Sequence, residues 1–181
     1  MILTAPTMEN EKDAKAYIEE FIQYGSNLNG TAALDEYLKN KSYGEWLAGV
    51  QESRTLTEKI PGRVNEATFF CMESGRMVGM VNIRFGLNAY LFHEGGHIGY
   101  SVRPAERGKG YGTEILRNAL DFCRFIGLDR VLVTSGEDNL PSRRVIEKCG
   151  GVLEDIVVSE RDGTKVCRYW IEKETEECMI N

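Results

Sequence analysis

A run of glycines and basic residues is the part of this sequence best suited to chemistry. It reads Val102-Arg-Pro-Ala-Glu-Arg-Gly-Lys-Gly-Tyr-Gly-Thr113 and stands between a strand-like segment and a helix-like segment. Glycine lets the backbone turn tightly and approach a ligand, and the first N–H groups of a helix have no partner inside that helix. Together with the positive end of the helix dipole, these donors favour binding of a pyrophosphate.

Spacing separates three known kinds of phosphate-binding loop. The P-loop pattern fails because Lys109 is followed by glycine rather than by Ser or Thr. The dinucleotide fingerprint GxGxxG fits badly because the run from Gly108 to Gly112 gives GxGxG. A dinucleotide-binding protein with Glu137 as the ribose-binding acid stays an alternative. The third pattern, RxxGxG, is satisfied in full from Arg107 onward.

The first half of the chain predicts helices followed by a hairpin. Apolar residues at helical spacing predict an amphipathic helix from about Met8 to Gln23, with further helical segments beginning near Thr31 and at Ser42. The period then becomes two, which predicts strands over Thr68–Met72 and Met77–Leu87 joined by a tight turn.

The second half predicts the elements that position the glycine run. A strand over His97–Val102, a helix over Gly110–Ile126 and a strand over Arg130–Ser135 follow one another, and this order needs a crossover between parallel strands. A short helix capped by Asn139 and a final hairpin over Val152–Ile171 complete the pattern. The fold class is therefore α/β.

Composition narrows the functional classes. With 42% hydrophobic residues, 28% charged residues and a net charge of −6, the 181-residue chain resembles a single globular domain rather than a membrane or nucleic-acid-binding protein. No secretory signal is visible, so the cytoplasm is the predicted compartment. The five cysteines are scattered and predict reduced thiols without a metal site: Cys71, Cys123, Cys149, Cys167 and Cys178.

Three runs together resemble the acetyl-CoA-binding core of the GNAT superfamily of N-acetyltransferases. They are His97-Ile-Gly-Tyr-Ser-Val-Arg103, Arg107-Gly-Lys-Gly-Tyr-Gly112, and Glu137-Asp-Asn139 with Ser142 and Lys148-Cys-Gly150. The resemblance covers residues 95–152 of one domain over residues 1–181, and implies a mixed sheet of about seven strands flanked by helices, with parallel strands four and five splayed apart. It leaves residues 1–62, which carry no comparable motif, to shape the acceptor site.

The resemblance also implies cofactor contacts. The backbone of the fourth strand would pair with the pantetheine arm, the glycine run would hold the pyrophosphate, and the start of the helix after strand five would face the cofactor. The residues concerned are Tyr100, Ser101, Val102, Arg107, Gly108, Lys109, Gly110, Tyr111, Gly112, Thr113, Asn139 and Ser142. The predicted reaction is acetyl transfer to a primary amine of a small molecule or a protein.

The catalytic residues are less well specified by the sequence. His97 and Glu137 are the candidate bases, although each has a structural alternative, as a strand-start residue and as a helix-favouring acid. Many relatives place a Tyr on the helix after strand five as the acid, and this chain has Ile146 near that place. Tyr100 and Tyr111 are the candidate substitutes, with water as the alternative. A noncatalytic acyl-CoA-binding module stays an alternative, and a homodimer through the terminal hairpin stays open.

Overall fold

Seven strands form one sheet in the computed structural model, which describes residues 1–55 and 61–172. The strands are β1 (Ile2–Thr4), β2 (Glu66–Glu73), β3 (Arg76–Arg84), β4 (Ile98–Val102), β5 (Arg130–Gly136), β6 (Val152–Val158) and β7 (Lys165–Glu172). The helices are α1 (Glu11–Gln23), α2 (Leu34–Asn40), α3 (Tyr43–Ser53), α4 (Tyr111–Phe125) and α5 (Leu140–Lys148). A π-helical turn, Leu91–Gly95, precedes β4.

The strand order across the sheet is β1-β2-β3-β4-β5-β7-β6. All neighbouring strands are antiparallel except β4 and β5, which are parallel and share a single ladder pair, Ile98 with Val133. The crossover between these two strands is α4. This arrangement confirms the predicted α/β fold with a mixed sheet of seven strands and splayed strands four and five.

Helices cover both faces of the central strands. Helices α1 to α3 pack on one face against a cluster that includes Phe70 and Met80, and α4 and α5 pack on the other face against Val81 and Ile83. Because both faces are covered, the polar residue in the alternating pattern of β3 does not reach solvent. Asn82 is buried, and its amide donates a hydrogen bond to Thr68 Oγ1 at 3.1 Å.

Local sequence signals account for the ends of several helices. Ser42 Oγ accepts a hydrogen bond from the backbone N–H of Glu45, and the Glu45 carboxylate accepts one from the backbone N–H of Ser42, so the predicted capping box starts α3. Asn139 Oδ1 accepts from the backbone N–H of Ser142 and caps α5, as predicted. Gly127, at φ +83°, ends α4.

The structure differs from the sequence prediction at short elements. Strand β1 was not predicted, because three residues at a sheet edge are too few for a periodic pattern. The prediction that β3 runs to Leu87 was wrong, since the strand ends at Arg84, opposite the first residue of β2. In the residues that the structure describes, no helix is long and apolar enough to cross a membrane.

Candidate active site

The glycine run forms a loop of free backbone donors at the start of α4. Gly108 and Gly110 have φ values of +79° and +90°, which other residues rarely adopt. Within the described residues, the backbone N–H groups of residues 108–112 have no hydrogen-bond acceptor. A Cβ atom placed on either of these two glycines would meet nothing within 4 Å. The loop therefore presents free backbone donors at the positive end of a helix, an arrangement that favours anions.

Short backbone bonds hold this loop in place. A 3-10 turn over Pro104–Glu106 follows β4, and the N–H of Arg107 donates to the carbonyl of Pro104 at 3.2 Å. The carbonyl of Gly110 accepts hydrogen bonds from the N–H groups of Thr113 and Glu114. Gly110 is therefore the N-cap of α4. The donors that remain free are those that precede these bonds.

Of the basic side chains near the loop, one lies in a buried ion pair and two are exposed. Arg103 pairs with Glu20 at 2.7 Å and is largely buried, so its charge ties β4 to α1. Lys109 pairs with Glu106 at 2.7 Å and stays more than half exposed. The exposed Arg107 guanidinium donates to Ser26 Oγ at 2.9 Å, beside the end of α1.

The gap between β4 and β5 begins one residue into β4. The backbone of His97 and of Arg103 bonds to β3, through Arg84 N–H to His97 O and through Arg103 N–H to Val78 O, both at 2.8 Å. Because strand residues alternate in the side to which their N–H and C=O point, the backbone groups of Tyr100 and Val102 face β5. The ladder with β5 ends at Ile98, so these groups line an opening instead.

His97 closes the other end of this strand pair. Its backbone N–H donates to Leu132 O at 2.7 Å, and its Nδ1 accepts the backbone N–H of Leu132 at 2.9 Å. Burial and the nearby charge of Arg84 lower the pKa of His97 to about 4. The imidazole is therefore neutral near pH 7, with its proton on Nε2 and its lone pair committed to β5.

Arg84 fixes the turn that leads into β4. Its Nη1 donates to the carbonyls of Gly95 and Gly96 at 3.1 and 3.2 Å, directly before His97. Its Nε lies 4.0 Å from the carboxylate of Glu66. The sequence did not single out Arg84, because an arginine at the end of an amphipathic strand gives no signal of an inward-facing role.

The tyrosine and serine predicted to contact the cofactor lie together on the α4 and α5 side of the sheet. Tyr100 Oη is 3.4 Å from Ser142 Oγ, and burial raises the pKa of Tyr100. Tyr111 packs against the apolar core on this side. Ile146, which stands near the family's usual Tyr position, is fully buried in the same core.

Glu137 lies at the end of β5, on the far side of the gap from the glycine loop. Its carboxylate pairs with Lys165 Nζ at 3.3 Å and is partly exposed. Its backbone carbonyl accepts from Arg143 Nη1 at 3.0 Å, which anchors it to α5. Among residues 1–55 and 61–172, no group of three or more His, Cys, Asp or Glu side chains has the geometry of a metal site.

The connection between α1 and α2 crosses β4 beside the opening. Ser101 Oγ donates to Asn29 O at 2.6 Å, and Tyr17 Oη donates to Ser101 O at 3.1 Å. Gly30, at φ +71°, lies so close that a Cβ atom there would be 2.1 Å from Gly99 O. This contact could not be predicted from the sequence, because it joins distant parts of the chain.

The described cysteines make one contact with this arrangement, from Cys149 Sγ to the carbonyl of Thr113 at 3.8 Å. Cys71, Cys123 and Cys167 are buried, Cys149 is half-buried, and all four are free thiols. Burial raises the pKa of Cys123 to about 12, which leaves the thiol protonated. Cys178 lies outside the described residues.

Solved structures of acetyltransferases share this fold. RimJ from Mycobacterium smegmatis, in complex with CoA-disulfide, aligns with a TM-score of 0.72 at 20% identity over 97% of this chain and 83% of its own. RimL, an alpha-N-protein acetyltransferase in complex with coenzyme A, aligns at 0.67 and 16% identity over 94% and 93%. A variant of spermidine N-acetyltransferase SpeG from Vibrio cholerae aligns at 0.62 and 18% identity over 95% of each chain.

A sequence-family model gives a more direct assignment. No curated protein matches the chain significantly. The model of the acetyltransferase (GNAT) family matches residues 30–151, which is more than half of the chain and includes both the gap and the glycine loop. This match replaces the dinucleotide-binding alternative. The chain belongs to the acetyltransferase (GNAT) family and is an acyltransferase.

Proposed function

We propose that this enzyme transfers the acetyl group of acetyl-CoA to a primary amine by direct attack in a ternary complex. The observation that carries this proposal is the continuity of unpaired backbone groups. They run from the backbone of Tyr100 and the N–H of Val102 at the gap to the free N–H groups of residues 108–112 at the start of α4. The carbonyl of Val102, between the two parts, has only a long contact of 3.4 Å from Arg107 Nε. A ligand with an extended amide-bearing arm and a pyrophosphate matches both parts.

The described residues fit acetyl-CoA without rearrangement of the loop. The pyrophosphate would rest on the backbone from Arg107 to Thr113, in the space that the bare Cα atoms of Gly108 and Gly110 leave open. The pantetheine amides would bond to the backbone of Tyr100 to Val102. When bound, acetyl-CoA supplies the acetyl group as a reactive thioester.

The acceptor would approach from the face that carries α1 to α3. On the opposite face, a Cβ atom at Gly112 would meet the side chains of Val145 and Val102 at 3.4 and 3.6 Å, so α4 and α5 close that side. The connection before α2 borders the gap through Asn29 and Gly30. Residues 1–62 would therefore shape the acceptor site, as the sequence predicts.

The proton chemistry divides between two side chains. An alkylamine has a pKa near 10, so it must lose a proton before it attacks a thioester. We propose Glu137 as the base, directly or through water, because its carboxylate is partly exposed, whereas the His97 lone pair is held by Leu132. His97 would instead hold β4 against β5 at the closed end of the gap. Tyr100, whose raised pKa keeps it protonated, would supply the acid for the leaving thiolate.

The sequence also left open a noncatalytic acyl-CoA-binding module, which membership of an acyltransferase family argues against. The observation that favours it is the burial of Ile146, which removes the family's usual acid from the site. The two candidates differ in turnover, since a binding module would hold acetyl-CoA but would release no free CoA thiol when amines are added.

The first test is calorimetric titration of the purified chain with acetyl-CoA, with NAD and NADP as controls. We expect acetyl-CoA to bind with micromolar affinity and the nicotinamide nucleotides to give no heat. Turnover is then measured by thiol release with primary amines. These include peptides and spermidine, which the names of two structural neighbours suggest. An absence of acetyl-CoA binding would overturn the proposal.

A matched pair of glycine variants locates the pyrophosphate. Gly110 and Gly127 both have left-handed backbones and open space around Cα, but they lie at opposite ends of α4. Gly110→Ala puts a methyl group into the proposed phosphate cradle and should weaken acetyl-CoA binding at least about tenfold. Gly127→Ala carries the same backbone strain and should leave the affinity unchanged. Equal effects of the two would contradict the assignment.

Three further predictions describe the cellular setting. The cytoplasm is the predicted compartment, nucleic acid is not a predicted partner, and a homodimer would use the hairpin of β6 and β7. Gel filtration with light scattering measures the last of these directly.

A further inference from the structure

A buried arginine on β7 has one edge of its guanidinium without a partner. Arg168 is only 6% exposed, and its Nε and Nη2 atoms have no hydrogen-bond acceptor within the described residues. The remaining nitrogen, Nη1, is saturated by the carboxylates of Asp155 at 2.9 Å and Glu154 at 3.1 Å. Buried donors of a charged group are costly to leave unpaired, so the free edge requires an explanation.

Arg168 lies on the same face as the proposed acceptor approach. It stands opposite Thr134 of β5, while its neighbours Cys167 and Tyr169 point into the core beneath α4 and α5. Because strand side chains alternate, Arg168 and Trp170 share the face that carries α1 to α3. Trp170 contributes a third buried donor without a partner, its indole Nε1.

Arg168 lies close to the closed end of the β4–β5 pair, where His97 bonds to Leu132. The ring of Trp170 lies 6.5 Å from the ring of His97, the residue that joins β4 to β5. Thr134, cross-strand from Arg168, belongs to the β5 side of the opening and donates its hydroxyl to Glu94 O. The unpartnered donors therefore lie near the closed end of the gap, on the face proposed for the acceptor.

The donors and charges at this position favour a neutral oxygen. All three free groups are hydrogen-bond donors, so the ligand must present lone pairs. The carboxylates of Asp155 and Glu154 already outweigh the single positive charge of Arg168, and a further carboxylate would add to the negative excess. The fork of Nε and Nη2 fits a carboxylate as well, so it is the negative excess that favours a carbonyl oxygen, whose two lone pairs accept both bonds.

We propose that the free edge of Arg168, with Trp170 Nε1, binds a carbonyl group of the acceptor. This inference rests on the proposed acetyl transfer and narrows its substrate class. The acceptor is a peptide or amino-acid amide, with a carbonyl close to the reacting amine, rather than a plain alkylamine or polyamine. The ring of Phe92 lies 5.0 Å from the guanidinium carbon and is 52% exposed, so it forms the cover that a ligand displaces.

The test compares two amines, of which phenylalaninamide carries a carboxamide next to the amine and phenethylamine does not. The carboxamide also lowers the amine pKa, so each kcat/KM is expressed per unprotonated amine. On that scale we expect the value for phenylalaninamide to exceed that for phenethylamine by about tenfold or more, as one hydrogen bond to a charged donor provides. Arg168→Lys keeps a cation beside Asp155 but lacks the Nε and Nη2 edge. It should lower kcat/KM for the amide by about tenfold and change the value for phenethylamine less than about twofold.

A matched control and a third acceptor make the outcomes distinct. Arg124→Lys, on α4 and paired with Asp121, should leave both amines unaffected. Equal activity of the wild type with the two amines, or an equal loss with both in Arg168→Lys, would overturn the inference. A preference for phenylalanine over its amide would show that the edge binds an anion instead, and would also overturn it.

A second measurement is independent of turnover and of variant folding. The Nε–H resonance of Arg168 in the ¹⁵N-labelled wild type should shift when N-acetylphenylalaninamide is added at millimolar concentration with CoA. N-acetylphenethylamine, which lacks the carboxamide, should not shift it. An unmoved resonance rejects the carbonyl site, whereas failure of the acetyl-transfer proposal appears separately as absent acetyl-CoA binding.

Discussion

The two ends of the β4–β5 pair satisfy their backbone in opposite ways. At the closed end, His97 makes two hydrogen bonds to Leu132, one from its backbone and one through its side chain. At the open end, the backbone of Tyr100 and Val102 faces a gap in which the ladder has ended. The comparison shows that firm hydrogen bonds at one end of a strand pair leave the backbone at the other end outside the ladder.

The largest effect is expected where the connection before α2 crosses the open end. In Gly30→Ala the new Cβ would overlap Gly99 O, and we expect a loss of at least about 3 kcal/mol in the free energy of unfolding, measured in urea. Gly25→Ala is the control, because Gly25 has a similar φ but open space and should cost about 1 kcal/mol. Equal losses would show that this crossing does not border the gap tightly.

The closed end should make stability depend on pH. The pKa of His97 is about 4 in the folded chain against 6.5 for a free imidazole, so between these values only the unfolded chain takes up the proton. Stability is therefore full above pH 6.5 and falls as the pH drops toward 4, by about 3 kcal/mol at most. Urea unfolding of the wild type and of His97→Asn across this window measures the difference.

His97→Asn should remove this part of the slope, because its amide oxygen replaces Nδ1 as the acceptor for Leu132 N–H but does not titrate in this range. A slope that persists in the variant would assign the pH dependence to other groups.

Removing the hydrogen-bond acceptor of His97 altogether tests how firmly the closed end of the β4–β5 pair is held. In His97→Leu the N–H of Leu132 is buried without a partner, which should cost about 2 kcal/mol in the free energy of unfolding. The gap would also lose its fixed end, so KM for acetyl-CoA should rise. His97→Asn should keep both values near those of the wild type. If His97→Asn instead loses turnover with KM unchanged, His97 is the base.

A smaller effect is expected at the hydrogen bonds between Tyr17 of α1 and Ser101 of β4. Tyr17→Phe removes the hydroxyl that donates to Ser101, and should lower the free energy of unfolding by about 1 kcal/mol. Because Ser101 still donates to Asn29 O, acetyl-CoA affinity should be retained. A marked loss of affinity in calorimetry would mean that Tyr17 itself sets the width of the gap.

The smallest change in stability is expected for Tyr100→Phe. The contact of its hydroxyl with Ser142 is long, at 3.4 Å, so the free energy of unfolding should change less than about 0.5 kcal/mol. Turnover separates the roles of the hydroxyl. If Tyr100 is the acid, kcat should fall by about a hundredfold. Unchanged kcat would make Tyr100 a packing residue at the open end.

How much could be read from the sequence depended on the distance over which each signal acts. The capping box of α3, the amphipathic helices and the strand–loop–helix order around Arg107 are local, and the structure contains each of them. Helix α1 begins at Glu11 rather than at Met8, because a 3-10 turn over Met8–Asn10 precedes it. Boundaries such as the end of β3 at Arg84 were less accurate, because the length of the partner strand decides them. The predicted roles of His97 and Glu137 stay proposals.

The sequence by itself determined the fold class, the family and the glycine loop, because glycine spacing and hydrophobic period are written in neighbouring residues. Only the tertiary structure decided that His97 is bonded to Leu132, that Gly30 lies on Gly99, and that Arg168 keeps an unpaired edge. These contacts join residues far apart in the chain. Burial, lone-pair use and missing partners are properties of the assembled sheet, and no local pattern encodes them.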